Sequence, residues 1–295
     1  MTETRAHSDA HRTIVPARNR LQSAAAALLC ILIGVLLYVV SNSPNVQWSV
    51  IPGYLFDPTI LSGVRLTLIF TVLSIVIALI LGTGLALMKQ AQNGVLSGFA
   101  GLYIWFFRGT PLLVQIIFWF NIQLFVPTVG FGAYHIQTNA LVTSFVAALL
   151  ALSLNEAAYM AEIVRGGLLS VDPGQREAAA ALGYRPGQIA VRVILPQALR
   201  VITPAIGNQT ISMLKTTSLV SIVAAQDLLT RVQNIYATNF LIIELLTVAS
   251  LWYLVLTTVA SVLQYFIERR LGAAQGVQAP TAVARFLGLF TEGRR

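Results

Sequence analysis

Charge is what this chain has least of. Asp, Glu, Lys and Arg make up 10% of its 295 residues, against about 25% in a soluble domain. So few charges cannot cover a water-facing surface. That excludes a soluble globular fold and leaves a polytopic membrane protein. Cysteine is nearly absent. Cys30 stands alone inside an apolar run, so no intrachain disulfide can form and no Cys/His spacing of the metal-binding kind exists. Histidine is scarce as well: His7 and His11 sit in a polar N-terminal tail and His135 in a short loop, read as solvated side chains rather than ligands. No GxxxxGK[ST] phosphate loop occurs, so no cofactor is expected on this chain. Paired Asp, HExxH and Ser-Lys arrangements are missing at membrane depth, which argues against an intramembrane enzyme. No internal repeat of the inverted kind that marks many secondary transporters is visible.

What the chain does have is apolar length, with 56% hydrophobic residues. Its net charge of +8 raises the question of nucleic acid, but the distribution answers against it. The basic residues fall in breaks between apolar runs, mostly on alternate breaks, which is the positive-inside pattern. Residues 1–20 are polar and carry Arg5, Arg12, Arg18 and Arg20. Residues 21–40 form a first apolar run, long enough to span and without a small-x-small cleavage site before Ser41. It reads as an uncleaved span with its N-terminus in the cytoplasm.

Residues 41–59 hold three prolines and no Lys or Arg, and read as an external loop. A second span covers 60–88 and ends at Lys89. The apolar and aromatic stretch that follows is too long for one straight span, and Arg108-Gly109-Thr110-Pro111 divides it. Pro111 suits a helix's first turn, so a third span is placed at 111–126, with Tyr103 and Trp105 at the cytoplasmic interface. Residues 127–138 read as an external turn. The fourth span covers 139–164 and ends at Arg165. The fifth begins near Arg200 or Pro204 and reaches the outside before Asp227. Residues 230–239 read as an external loop, 240–267 as a sixth span, and 271–295 as a polar, basic tail with an apolar patch at 286–290. Six spans put both termini in the cytoplasm. On that topology 16 of 19 Lys and Arg lie inside, while Arg65 and Arg231 lie outside and Lys215 within a span.

The longest break is Arg176 to Pro196. Asp172-Pro173 reads as a helix start, and Glu177 falls in the early turns where a carboxylate suits the dipole. Ala178 to Leu182 are strong helix formers. Gly183 ends or bends the helix, and Pro186-Gly187 makes a turn. A second short helix, 188–194, ends before Pro196. On composition this is either an amphipathic loop helix packed on its own bundle or a surface for another protein.

Ionisable and polar residues inside spans are costly and are candidates for a substrate pathway. They are Gln115 and Asn121 in the third span, Asn155 and Glu156 in the fourth, and Lys215 and Thr217 in the fifth. A Glu156 carboxylate would meet an ammonium or a cationic side chain, and Lys215 and hydroxyls a carboxylate. The bland alternative is interhelical hydrogen bonding or a Glu–Lys pair. Glu162 with Arg165 and Arg108 reads as a structural ion pair at the inner rim.

Glu177-Ala178-Ala179, then Gly183, then Val193-x-Leu195-Pro196 resembles the EAA signature of ATP-binding cassette (ABC) importer permeases, with Val193 where the pattern usually has Ile. Arg108-Gly109-Thr110-Pro111-Leu112-Leu113-Val114-Gln115, Ala158-Tyr159-Met160-Ala161-Glu162-Ile163-Val164-Arg165-Gly166-Gly167 and Lys215-Thr216-Thr217-Ser218-Leu219 resemble the polar amino acid branch of that superfamily. The resemblance covers residues 60–270. The span at 21–41 and the tail past 270 fall outside it.

The resemblance implies an all-α polytopic fold: a five-helix type I importer permease core at 60–270, an extra N-terminal span and a cytoplasmic coupling helix within an EAA loop at 166–200. It implies transport of polar or charged amino acids by alternating access through the bacterial cell inner membrane. It also implies a second permease subunit, identical or related, an extracytoplasmic solute-binding protein, and two separate ATPase subunits that hold the ATP and Mg. Glu177, Ala178, Ala179, Gly183, Val193, Leu195 and Pro196 would be the ATPase-coupling residues. An ion-gradient-driven secondary transporter is the alternative. It would explain Glu156 and Lys215 but leave the EAA stretch idle.

Overall fold

A computed structural model describes residues 20–131 and 134–272 of the chain. The chain divides into two units, residues 1–48 and 49–295. In the first, the principal described element is α1 (Arg20–Ser41), whose 22 residues rise about 33 Å, enough to cross a hydrocarbon core. The expected tails lie almost wholly outside the described residues, the apolar patch at 286–290 included.

The second unit opens with the short helix α2 (Ile51–Leu55) and the long helix α3 (Pro58–Lys89). The Asp57 carboxylate starts α3 by accepting from Thr59 N at 2.7 Å, and Pro58 takes a first-turn position, where its missing N–H costs nothing. In α4 (Gly94–Gly109) Asn93 does the same work, accepting from the Val95 and Leu96 amides. Thr110 is extended because a proline follows it. The chain resumes as α5 (Leu112–Phe120), bent by 101° from α4.

This corrects the third span expected at 111–126. α5 has nine residues, too few to span alone, and Asn121 and a 3-10 turn at Ile122–Leu124 follow it. The segment expected as an external turn, 127–138, contains a small antiparallel hairpin, β1 (Thr128–Phe131) and β2 (Tyr134–Gln137), with Val129 opposite Ile136. It is the one exception to an otherwise helical chain among the described residues. The one-turn helix α6 (Thr138–Leu141) precedes α7 (Ser144–Leu169), so the fourth span starts later than expected and runs past Arg165.

The break expected on the cytoplasmic side forms α8 (Pro173–Ala181) and α9 (Pro186–Ile189). The second short helix does not end before Pro196. A π-turn at Ala190–Ile194 carries it directly into α10 (Leu195–Thr216), so the fifth apolar segment is continuous from Pro186 to Val223. Its last stretch, Thr217–Val223, is a 3-10 helix. The expected loop at 230–239 is helical, α11 (Leu228–Asn239), started by the Asp227 side chain, which accepts from the Leu229 and Thr230 amides. α12 (Ile242–Gly272) closes the described chain. Among the described residues five helices are long and apolar enough to cross a membrane, and the bent α4–α5 pair makes six if it counts as one span.

The core is organised around α7. Its buried face is mostly small: Ala147, Ala148, Ala151, Ala157, Ala158 and Ala161. Small residues let helix backbones approach where lipid supplies no hydrophobic drive between helices. The α3–α7 contact is the most extensive in the bundle. At Gly82 a Cβ would lie 2.6 Å from Met160 Cβ and 2.8 Å from the Ala157 carbonyl. At Gly167 a Cβ would lie 2.2 Å from Ile202 Cγ1 and 3.3 Å from the Ala198 carbonyl, so α10 packs against α7 through the Ile202 side chain.

Candidate functional site

Polar groups gather in two places, one buried and one exposed. The buried seam begins at the α4–α5 bend. A sharp bend frees backbone carbonyls, and buried carbonyls need donors. Gln115 Nε2 donates to Phe107 O (3.1 Å), Thr110 O (3.2 Å) and Thr110 Oγ1 (2.7 Å). Asn155 Nδ2 donates to Phe107 O (2.7 Å) and Gln115 Oε1 (3.3 Å). These two candidate residues are thus brought together, and both staple the bend to α7.

Glu156 is the next residue on α7 and is 4% exposed. Its Oε2 accepts from Gln209 Nε2 of α10 at 3.1 Å, while its Oε1 is buried with no hydrogen-bond partner. A carboxylate has acceptor capacity on both oxygens, and only one of the two is engaged among the described residues. Between α10 and α12, Gln264 Nε2 donates to Pro204 O (3.2 Å) and Asn208 Oδ1 (3.1 Å), and within α12 to Glu268 Oε1 (2.6 Å).

The other candidates lie apart. Lys215 is exposed and does not pair with Glu156. Thr217 is buried and donates to Leu214 O at 2.8 Å. Asn121 Nδ2 bonds Ile117 O at 2.8 Å, closing the end of α5. Arg165 and Glu162 form an ion pair at 2.6 Å, one helical turn apart. Arg108 is not in it. Its guanidinium lies 5.3 Å from the Tyr159 ring centroid, a cation–π arrangement.

The exposed site is the elbow formed by α8, α9 and the π-turn. Asp172 starts α8 by accepting from Gly174 N at 2.6 Å. Glu177 and Ala178 face solvent, while Ala179 turns inward onto Ile189 and Ile194, flanked by Leu168, Val171 and Val193. Gly183 sits at φ +80°, a left-handed turn that glycine adopts without strain. Leu195 and Pro196 are exposed on the first turn of α10. A cavity of about 220 Å³ lies beside α8, lined by Leu168, Val171, Arg176, Glu177 and Ile194 among others.

A third cluster was not read from the sequence. Asp227, fully buried and outside the spanning segments, accepts from the Thr230 hydroxyl as well as from the amides that begin α11. Burial raises its carboxyl pKa, and the hydrogen bonds from Thr230, Leu229 and Tyr253 oppose the rise. Tyr253 Oη donates to Asp227 Oδ2 at 3.5 Å, and Thr67 Oγ1 accepts from Leu228 N at 3.1 Å. The legible signal was Asp227 two residues after a break and one before a run that can be helical. Gln209 is polar within the fifth apolar segment, but its pairing with Glu156 needs two helices and has no local signature.

A bundle of apolar helices around a small-residue centre, broken by a stapled bend and by a water-exposed helical elbow, belongs to the class of membrane-spanning transporter subunits. The chain belongs to the family described as binding-protein-dependent transport system inner membrane component, whose profile matches residues 78–273. It is 40% identical over 256 residues to the arginine transport system permease protein ArgU of Corynebacterium glutamicum, covering 86% of this chain and 81% of that one. It is 37% identical over 215 residues to the arginine transport system permease protein ArtQ of Bacillus subtilis, covering 72% and 93%. Among solved structures, an amino acid ABC transporter crystallised with histidines matches with TM-score 0.67 and 34% identity over 77% of this chain and 99% of that one.

Proposed function

We propose that this chain is the membrane-spanning permease subunit of an ABC importer that moves amino acids, with cationic side chains as its preferred class. The importer reading holds over an ion-gradient-driven secondary transporter. The observation that carries it is the elbow: a capped helix with an open Glu177–Ala178 face, a glycine turn and its own small apolar core, standing where a separate protein can reach it. In this reading Glu177, Ala178, Gly183 and the exposed Leu195 and Pro196 meet an ATPase, while Ala179 and Val193 face the elbow's core. ATP and Mg belong to that partner. A second permease subunit completes the pore, and an extracytoplasmic binding protein delivers the substrate.

The cationic preference rests on Glu156, whose buried Oε1 lacks a donor. Two relatives named as arginine permeases support the same choice. Gln115, Asn155, Asn121, Lys215 and Thr217 stand along the proposed pathway, with the first two holding its shape. Both termini are assigned to the cytoplasm and residues 166–200 to the coupling loop. The test is purification of the tagged chain from its own membranes, then transport in proteoliposomes. Co-purification of an ATPase, with uptake that needs ATP and survives collapse of the proton gradient, is expected. Uptake that follows the gradient and ignores ATP would overturn the reading.

A further inference from the structure

The π-turn at Ala190–Ile194 has a geometric result beyond continuity. Ile189 and Ile194 are five residues apart, yet both are buried in the same small core against Ala179. In a regular α-helix residues five apart point about 140° from one another. The i→i+5 ladder of a π-turn brings them to one side. That ladder is present here: Leu195 N donates to Ala190 O. Its cause lies one residue further on. Pro196 has no N–H, and its ring would press on the Arg192 carbonyl in a regular helix. Widening the turn relieves that clash. The Gln197 side-chain amide also donates to the Val193 carbonyl at 2.9 Å.

From Ile194 onward the spacing returns to four. Ala198 and Ile202 continue the same buried side and seat on α7, where Gly167 leaves no room for a Cβ. Further along the same helix, about 22 Å from Ile194 at 1.5 Å per residue, Gln209 holds Glu156. One apolar ridge thus runs from the coupling helix through Ile189 and Ile194 onto α10.

We propose that Ile189 and Ile194 are positioning residues for transport, and that the register set by the π-turn fixes α8 to α10 so that motion of α8 reaches Gln209 and Glu156. This rests on the importer reading. What couples is then the facing of Ile189 beneath Ala179, not the π-turn's shape as such.

Register variants separate these ideas. Deletion of Val191, an exposed residue of the turn, with Pro196 kept, removes the extra residue and leaves Ile189 four residues from Ile194 and still on its face. Insertion of one Ala after Val191 turns Ile189 away in either kind of helix. Both are assayed in the purified complex for substrate transported per ATP hydrolysed, with ATPase content normalised. The insertion is expected to lower that ratio at least about tenfold, within the range of site-to-site coupling energies. The deletion variant is expected to stay within about twofold of the unaltered chain. Ile189→Ala is expected to lower the ratio and Ile189→Leu to keep it, which covers the case of an insertion that does not assemble. An insertion, or an Ile189→Ala, that couples normally would overturn the proposal. So would a deletion variant as uncoupled as the insertion. Absence of any ATPase in the unaltered complex is a different failure, that of the importer reading itself.

Discussion

Gln115 and Glu177 are both polar side chains in an apolar chain, and each follows closely on a proline that breaks the helical run. Gln115 is 5% exposed and spends its hydrogen bonds on the chain's own bend and on Asn155. Glu177 stands in the open on a helix already capped by Asp172. The bend needs its amide because carbonyls freed inside a bundle have no water to turn to. The elbow needs nothing from Glu177 for its own fold. Polarity in the seam therefore serves shape, whereas polarity at the elbow is left over for something outside the chain. Glu156 stands between the two cases, with one oxygen engaged inside and one not.

Substitutions can break that contrast. Glu177→Lys should remove substrate-stimulated ATP hydrolysis in the reconstituted complex, at least about tenfold, with extraction yield and melting temperature unchanged. A fall in melting temperature instead would make Glu177 part of the fold. Glu156→Gln keeps a partner for Gln209 and removes the charge. Discrimination between cationic and neutral amino acids should fall about tenfold, the worth of one charge-assisted hydrogen bond. An unchanged substrate profile argues against contact with substrate. Gln115→Leu leaves the Phe107 and Thr110 carbonyls short of a donor. It should cost about 1–3 kcal/mol, read as a lowered midpoint in thermal unfolding, with the coupling ratio of the surviving complex intact. Gly183→Ala has the smallest expected effect. No atom lies near enough to clash, so the penalty is the left-handed backbone alone, about 1–2 kcal/mol, read in the same unfolding assay.

How much of this was legible varies with how local the cause is. The start of α8 was readable at Asp172-Pro173, and the elbow's spacing at Glu177, Gly183 and Pro196, because caps and turns are chosen by neighbouring residues. The bend at Thr110-Pro111 was visible, but its sharpness was not, since the 101° angle is held by Gln115 and Asn155 from another helix. α11 was missed because its middle, Arg231 to Asn239, is polar enough to pass for a loop. Its stability comes from Asp227 and from packing of Leu228 and Val232. The hairpin strands at 128–137 have four residues each, too short for a period to register. The π-turn had only Pro196 as a sign, and a proline there reads more readily as a stop. At the candidate site, single residues could be named from cost alone. Which of them were already occupied required the partner helices.

Gly82 carries a last consequence for how this chain can change over generations. With Met160 Cβ and the Ala157 carbonyl already at van der Waals limits, position 82 cannot gain a methyl group unless α3 and α7 part along their whole shared length. Shrinking Met160 does not open the space, because the Ala157 carbonyl at 2.8 Å and the Ala161 amide nitrogen at 2.9 Å are backbone atoms that every residue keeps. No single compensating substitution is therefore available. Drift in the two longest-packed helices should leave that crossing fixed while the lipid-facing positions around it turn over freely.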